Sequence, residues 1–184
     1  MQWRDTPYSW GVVTRSIHWL MALLILVQMV LGWMAVQWPF SPTKIELFVW
    51  HKSLGITALA LVLVRIVWRL FNPTPQLPAH MSPWQAYMAR AGHLALYALM
   101  LLMPISGWII NDAANFPLTV FHLIPMPSLV EPSERLEDIA KLVHLTGFWL
   151  LAFVLSAHIG AALVHHFYHR DVILRRMIRG VKTP

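Results

Sequence analysis

The chain has 184 residues; 58% are hydrophobic, only 12% are charged, the formal net charge is +6 and there is no cysteine. Soluble domains average about 25% charged residues, so the balance points to a membrane protein, and the positive charge sits at the ends of apolar segments, which gives no face for nucleic acid. Without cysteine there is no disulfide, no thiolate-held iron–sulfur cluster and no thioether attachment of a haem.

The first apolar stretch covers about residues 17–36. It starts well inside the chain and no small-residue cleavage pattern follows it, so it reads as a span and not as a cleavable signal. Pro39, Ser41 and Pro42 stop it. The second stretch covers about 48–70 and is closed by Asn72-Pro73-Thr74-Pro75, with Pro78 and Pro83 beyond. These prolines predict a rigid, extended connection. The third covers about 86–110 and holds Pro104, which predicts a kink with Ser106 or Gly107 absorbing the bend. Residues 111–132 carry four prolines among scattered apolar residues, too broken to span, and read as a loop resting on the membrane surface. The fourth stretch covers about 139–168, after an acidic lead of Ser133, Glu137 and Asp138 that suits a helix dipole.

Each stretch meets the requirement of about 20 residues for a spanning helix. Helices satisfy every backbone group internally, which lipid demands. The fold class expected is therefore all-α, an integral membrane four-helix bundle, as a single domain over residues 1–184. Four crossings place both termini on one side. Arg4, Arg15, Arg65, Arg69, Arg90, Arg170, Arg175, Arg176, Arg179 and Lys182 fall there, against Lys44, Lys52, Arg135 and Lys141 opposite. The positive-inside rule then makes the termini cytoplasmic. Six of the eight carboxylates lie on the other, outer side.

With this topology each histidine has a depth. His144 and His158 are fourteen residues apart on the fourth helix, almost four whole turns, so both rings share one face, ~21 Å apart along the axis. Polar rings in lipid are costly, and two on one face are hard to read as packing. His51 falls near the outer end of helix two and His18 near the inner end of helix one. His51 with His144 makes an outer pair, and His18 with His158 an inner pair. Two neutral imidazoles from opposite helices fill both axial positions of a haem iron and leave no open site, which suits electron transfer. Zinc wants four clustered ligands, and histidines split by depth do not supply them.

The neighbours are consistent with a haem environment. Gly32, Gly55 and Gly147 sit on the histidine stripes, where small residues admit a macrocycle or, equally, a neighbouring helix. Arg65 faces the bundle at the inner level and needs a counter-charge such as a haem propionate, and Lys52 has the same part open to it at the outer level. His93 has three readings: a third inner ligand, a propionate partner or a packing residue. His165 and His166 sit at the inner interface, as solvated tail or as functional groups. His80, His122 and His169 read as loop or end residues.

Several segments carry a family likeness. Ser16-Ile17-His18-Trp19 opens helix one and His51-Lys52-Ser53-Leu54-Gly55-Ile56 opens helix two. Ala91-Gly92-His93-Leu94-Ala95-Leu96-Tyr97 lies in helix three, His158 to His166 closes helix four, and Asp171 through Met177 forms the tail. Together these resemble the prokaryotic cytochrome b561 family over nearly the whole chain. The resemblance implies a four-helix membrane bundle of the bacterial inner membrane with two b-type haems. It puts the iron ligands at His18 and His158 and at His51 and His144. It further implies passage of electrons to ubiquinone, with His165 as a candidate quinone contact. One branch of the family oxidises superoxide at the outer face; the acidic outer loops here depart from the positive surface that would steer an anion.

Two functions follow. The first is transmembrane electron transfer from a periplasmic donor, superoxide or a redox protein, to ubiquinone, with superoxide:ubiquinone oxidoreductase as its enzymatic form. The second is a non-enzymatic haem-bearing subunit that relays electrons between quinone and a separate dehydrogenase or periplasmic protein.

Overall fold

A computed structural model describes residues 2–78 and 81–180; His80 and Lys182, counted above, lie outside them. The described residues are α-helical in their regular structure apart from one small hairpin. The elements are α1 (Val12–Gln37), α2 (Pro42–Leu70), α3 (Pro83–Ala113), β1 (Thr119–Val120), β2 (Ile124–Pro125), α4 (Glu134–Phe167) and α5 (Ile173–Ile178). The first four helices are each long and apolar enough to cross a membrane. Leu23, Leu94 and Phe153 lie on them at 62%, 72% and 73% exposure. Large apolar side chains this open are unusual on a soluble protein and fit a lipid-facing surface.

Every span begins earlier than the apolar pattern predicts, because the first turns are polar and held by caps. Asp5, buried, accepts from the Gly11 amide at 2.6 Å and from the Thr14 hydroxyl at 2.7 Å at the start of α1. Ser41 accepts from the Lys44 amide ahead of Pro42, a residue suited to a first helical position. Ser82 and Gln85 exchange bonds at the head of α3, with Ser82 Oγ accepting from the Gln85 amide at 3.3 Å and Gln85 Oε1 accepting from the Ser82 amide at 3.0 Å. This is a capping box. Ser133 accepts from the Leu136 amide before α4. Hydropathy sees only the part of a helix that meets lipid. Helix α3 runs on through Pro104.

The segment expected to be a surface loop contains the β1–β2 hairpin, which corrects that reading. Thr119 pairs with Pro125 and Val120 with Ile124. Phe121 and His122 form the turn with positive φ of 51° and 59°, closed by the Leu123 amide donating to the Val120 carbonyl. Helix α5 is also additional to the four spans.

The chain resolves into two compact units. The terminal unit comprises Met1–Leu20, Leu63–Tyr97 and Leu151–Pro184, and the hairpin unit Met21–Val62 and Ala98–Leu150. In the terminal unit the chain ends are tied to the helices. Arg15 Nη1 donates to the Ile178 carbonyl, Trp19 Nε1 to the Met177 carbonyl, Trp68 Nε1 to Thr14 Oγ1 and Arg176 Nη1 to the Gln76 carbonyl. In the hairpin unit the loop is pinned from both sides. The Phe121 amide donates to the wholly buried Ser53 Oγ at 2.8 Å, and the Leu129 amide donates to Asp112 Oδ2 at 2.7 Å.

Candidate functional site

Each unit holds one pair of facing histidines from two helices. In the hairpin unit His51 on α2 and His144 on α4 have ring centres 6.3 Å apart. In the terminal unit His18 on α1 and His158 on α4 are 6.2 Å apart. A metal–imidazole bond is about 2.0 Å, and each ring centre lies about 1.1 Å behind its nitrogen, so two rings on opposite sides of one ion sit about 6 Å apart. Both pairs have that spacing. No cluster of three or more metal-ligating side chains occurs among the described residues, which suits two-ligand axial binding in a macrocycle better than a metal held by protein alone.

The hairpin-unit pair is set in neutral surroundings. Ser106 Oγ donates to the Met103 carbonyl at 3.0 Å, and its single proton is thereby used. It therefore accepts from His144 Nδ1 at 2.9 Å. A neutral His144 then carries its proton on Nδ1 and leaves Nε2 bare, as a metal ligand requires. Gln28 Nε2 donates to the His51 carbonyl at 2.8 Å, while His51 Nδ1 is buried with no hydrogen-bond partner. An unpartnered buried polar atom costs about 1–3 kcal/mol, which a bonded group would offset. Two glycines let the rings lie flat on helix backbone. A Cβ at Gly32 would stand 2.8 Å from His51 Cε1, and one at Gly107 would stand 3.3 Å from His144 Cε1. Gly55 lies against Gln28, and Gly147 against the Met103 sulfur, so these two make room for neighbours and not for the rings. Lys52 Nζ donates to Asn111 Oδ1 at 2.5 Å, and the Asn111 amide donates to the Phe116 carbonyl.

The terminal-unit pair is set beside a cation. Arg65 Nη2 lies 3.0 Å from His18 Nδ1. A guanidinium only donates, so His18 Nδ1 accepts and a neutral ring carries its proton on Nε2. Iron at Nε2 requires that proton to leave, and a propionate carboxylate is the stronger acceptor for the guanidinium. The Arg65 guanidinium also lies 5.5 Å from the Tyr97 ring centre, with the Arg69 guanidinium 6.0 Å from the same ring. His93 packs edge-on against His158, ring centres 5.4 Å apart. The residues of both pairs thus fit a b-type haem, with His144 already in the ligand tautomer.

His165 stands at the end of α4, its Nδ1 2.5 Å from Asp171 Oδ2, with the His169 ring centre 5.1 Å away. His122 lies 3.9 Å from Glu46 at the surface. Sequence reading missed Ser106 and Gly107 as supports of His144, although both were noticed as bend residues beside Pro104. It also missed Gln28 and the Asp171 contact, which no local spacing signals.

A family model described as prokaryotic cytochrome b561 matches residues 9–180. A protein of Escherichia coli (strain K12) named "Cytochrome b561 homolog 2" is 33% identical over 180 residues, 97% of this chain and 95% of that protein. A Yersinia pestis protein named "Probable superoxide oxidase CybB" is 33% identical over 166 residues, 89% of this chain and 92% of that protein. A second protein of E. coli (strain K12), "Cytochrome b561 homolog 1", is 25% identical over 168 residues, 88% of this chain and 92% of that protein.

Proposed function

Since the chain belongs to the prokaryotic cytochrome b561 family, and so is a multi-pass membrane protein of electron transfer, we propose that it carries two b-type haems and passes electrons from a donor at the hairpin end to ubiquinone at the terminal end. The observation that carries this reading is the pair of facing histidine couples, 6.3 and 6.2 Å between ring centres, with one member of each on α4. His51 and His144 hold one haem, and His18 and His158 the other. A haem held between two such imidazoles would supply one-electron redox chemistry.

The protein's own residues do the rest. Ser106 fixes the His144 tautomer, Gln28 anchors the backbone at His51, and Gly32 and Gly107 seat the rings. Arg65 offers a counter-charge for a propionate, and His93 buttresses His158. Lys52 stays committed to Asn111 and acts as a strut between α2 and α3. His165 is the quinone contact. It follows His158 by seven residues on α4, two turns or about 10 Å of rise, on nearly the same stripe.

The donor divides two versions of this function. The relative named as a superoxide oxidase supports superoxide. The surface chemistry favours a basic redox protein, which is the relay version. Lys44 is bonded to the Val36 and Trp38 carbonyls, Lys52 to Asn111 and Lys141 to Glu137, while Glu46, Glu131, Glu134 and Asp138 are exposed. Exposed carboxylates beside engaged lysines, with Arg135 as an exposed cation among them, disfavour a small anion.

A pyridine haemochrome assay on the purified protein is expected to give two b haems per chain; none or one overturns the reading. Stopped-flow mixing with superoxide, ubiquinone present, is expected to reduce the protein only slowly. Reduction near the diffusion limit would establish the oxidase version instead.

A further inference from the structure

The end of α4 holds a contact that the helix itself does not need. Arg170 takes a left-handed conformation, φ 52°, and turns the chain back beneath the last turn of α4. Asp171 is then held by contacts that include three bonds. Its amide donates to the His165 carbonyl at 3.1 Å, its Oδ1 accepts from the Ile173 amide at 3.0 Å, and its Oδ2 meets His165 Nδ1 at 2.5 Å. The first two bonds already join α4 to α5, one through backbone groups and one through Oδ1 of the carboxylate. The third acts on the imidazole ring alone. The Asp171 side chain is 4% exposed and that of His165 is 17% exposed. A carboxylate withdrawn from water is costly unless its partner needs the charge.

We propose that Asp171 is the positioning residue of the quinone site, holding the proton of His165 on Nδ1 and aiming Nε2 at the quinone oxygen. This rests on the reading of His165 as the quinone contact. Among the described residues nothing hydrogen-bonds to Nε2, whereas Nδ1 is claimed by the carboxylate. A ring held this way has two useful states. Neutral, it presents Nε2 as an acceptor; protonated, it presents Nε2–H as a donor, with the charge compensated by Asp171. Reduction of the quinone to quinol takes two electrons and two protons. The electrons arrive singly through the protein from two donor oxidations. A proton passes from Nε2 to a quinone oxygen, an O–H bond forms as the N–H bond breaks, and the ring is reprotonated from water at the same end before the second transfer. Asp171 keeps its bond to Nδ1 throughout. The groups beside this couple are the His169 ring, 5.1 Å from His165, and Arg170, adjacent in the chain.

The test is single-turnover reoxidation of the reduced, haem-loaded protein by a short-tailed ubiquinone analogue, comparing wild type, Asp171→Asn and His165→Gln. Asparagine keeps the Oδ1 acceptor for the Ile173 amide but loses the anion. Asp171→Asn is expected to keep the haem content and the half-saturating quinone concentration within twofold, while the saturated rate falls tenfold or more. Added acetate is expected to restore part of that rate. An unchanged saturated rate, or a loss of rate that tracks loss of haem and is blind to acetate, overturns the proposal. His165→Gln separates the two readings. If it leaves the rate unchanged, the quinone contact itself is wrong; if it slows the rate while Asp171→Asn does not, only the role of Asp171 falls. Should Asp171→Asn lose haem, Asp171→Glu keeps the charge and shifts the carboxylate by one methylene. It is expected to lower the saturated rate about threefold, and a wild-type rate there overturns the proposal.

Discussion

The two histidine couples have the same spacing and opposite electrical settings. In the hairpin unit the imidazoles meet a serine hydroxyl and glycine backbone, and among the described residues no charged group hydrogen-bonds to either ring. In the terminal unit a guanidinium touches the His18 ring and a second lies near the same tyrosine. A nearby cation favours the reduced form of a centre, whose charge is one unit less positive. A basic partner on a ligand nitrogen, such as the Ser106 oxygen on His144 Nδ1–H, favours the oxidised form. Under the proposed two-haem function, the contrast is expected to make the terminal-side centre the better electron acceptor, in keeping with the proposed direction from hairpin end to terminal end.

The pairing itself is the first part of this contrast to test. His51→Ala and His144→Ala are each expected to remove the same haem, halving the haemochrome yield, and His18→Ala and His158→Ala to remove the other. Difference spectra and redox titration tell the two losses apart, and losses that crossed between couples would dissolve the comparison. Gly32→Ala places a Cβ 2.8 Å from His51 Cε1. Overpacking of that kind costs about 1–3 kcal/mol, so the hairpin-side haem is expected to be depleted while the terminal-side haem stays whole, as optical spectra of each centre would register.

The charge asymmetry comes next. Arg65→Gln is expected to lower the terminal-side potential; removing one charge is worth on the order of 2 kcal/mol at an effective dielectric of ~20, or about 80 mV at ~59 mV per 1.4 kcal/mol. Potentiometric titration that found the hairpin-side centre moving instead would reverse the assignment. Ser106→Ala has a smaller effect of the opposite sign. Loss of a hydrogen bond worth about 0.5–1.5 kcal/mol raises the hairpin-side potential by about 20–60 mV. Both substitutions narrow the gap between the centres, so the double variant is expected to show the slowest transfer between them.

The parts of the molecule differ in how openly the sequence displays them. Apolar runs of about 20 residues declare the four spans, because lipid imposes one solution on the backbone. The fourteen-residue interval from His144 to His158 declares a shared helical face, because helix geometry fixes angle from spacing alone. The helix starts were misjudged by three to six residues, since Asp5, Ser82 and Ser133 form caps from polar residues that a hydropathy reading discards. Ser106 contacts His144 from 38 residues away and Lys52 meets Asn111 from 59 residues away. Such contacts depend on how helices rotate against one another, and no local pattern encodes that. Lys52 shows the gap: its depth marks it as a counter-charge, and the structure adds a bond from its amine to Asn111 that the spacing does not foretell.

The turn of the β1–β2 hairpin is a place where stability has been forgone. Left-handed backbone favours Gly or Asn, and here Phe121 and His122 take it in a three-residue loop, a strain on the order of 1 kcal/mol or more each. What the chain gains is an aromatic shutter. The Phe121 ring meets Trp50, the residue before His51, with ring centres 5.7 Å apart. Asn-Gly at these two positions would relieve the strain and remove the Phe121 ring from a tryptophan that is already half exposed. The turn is thus where an engineer seeking yield and a physiologist seeking the donor's landing place would change the same two residues for opposite reasons.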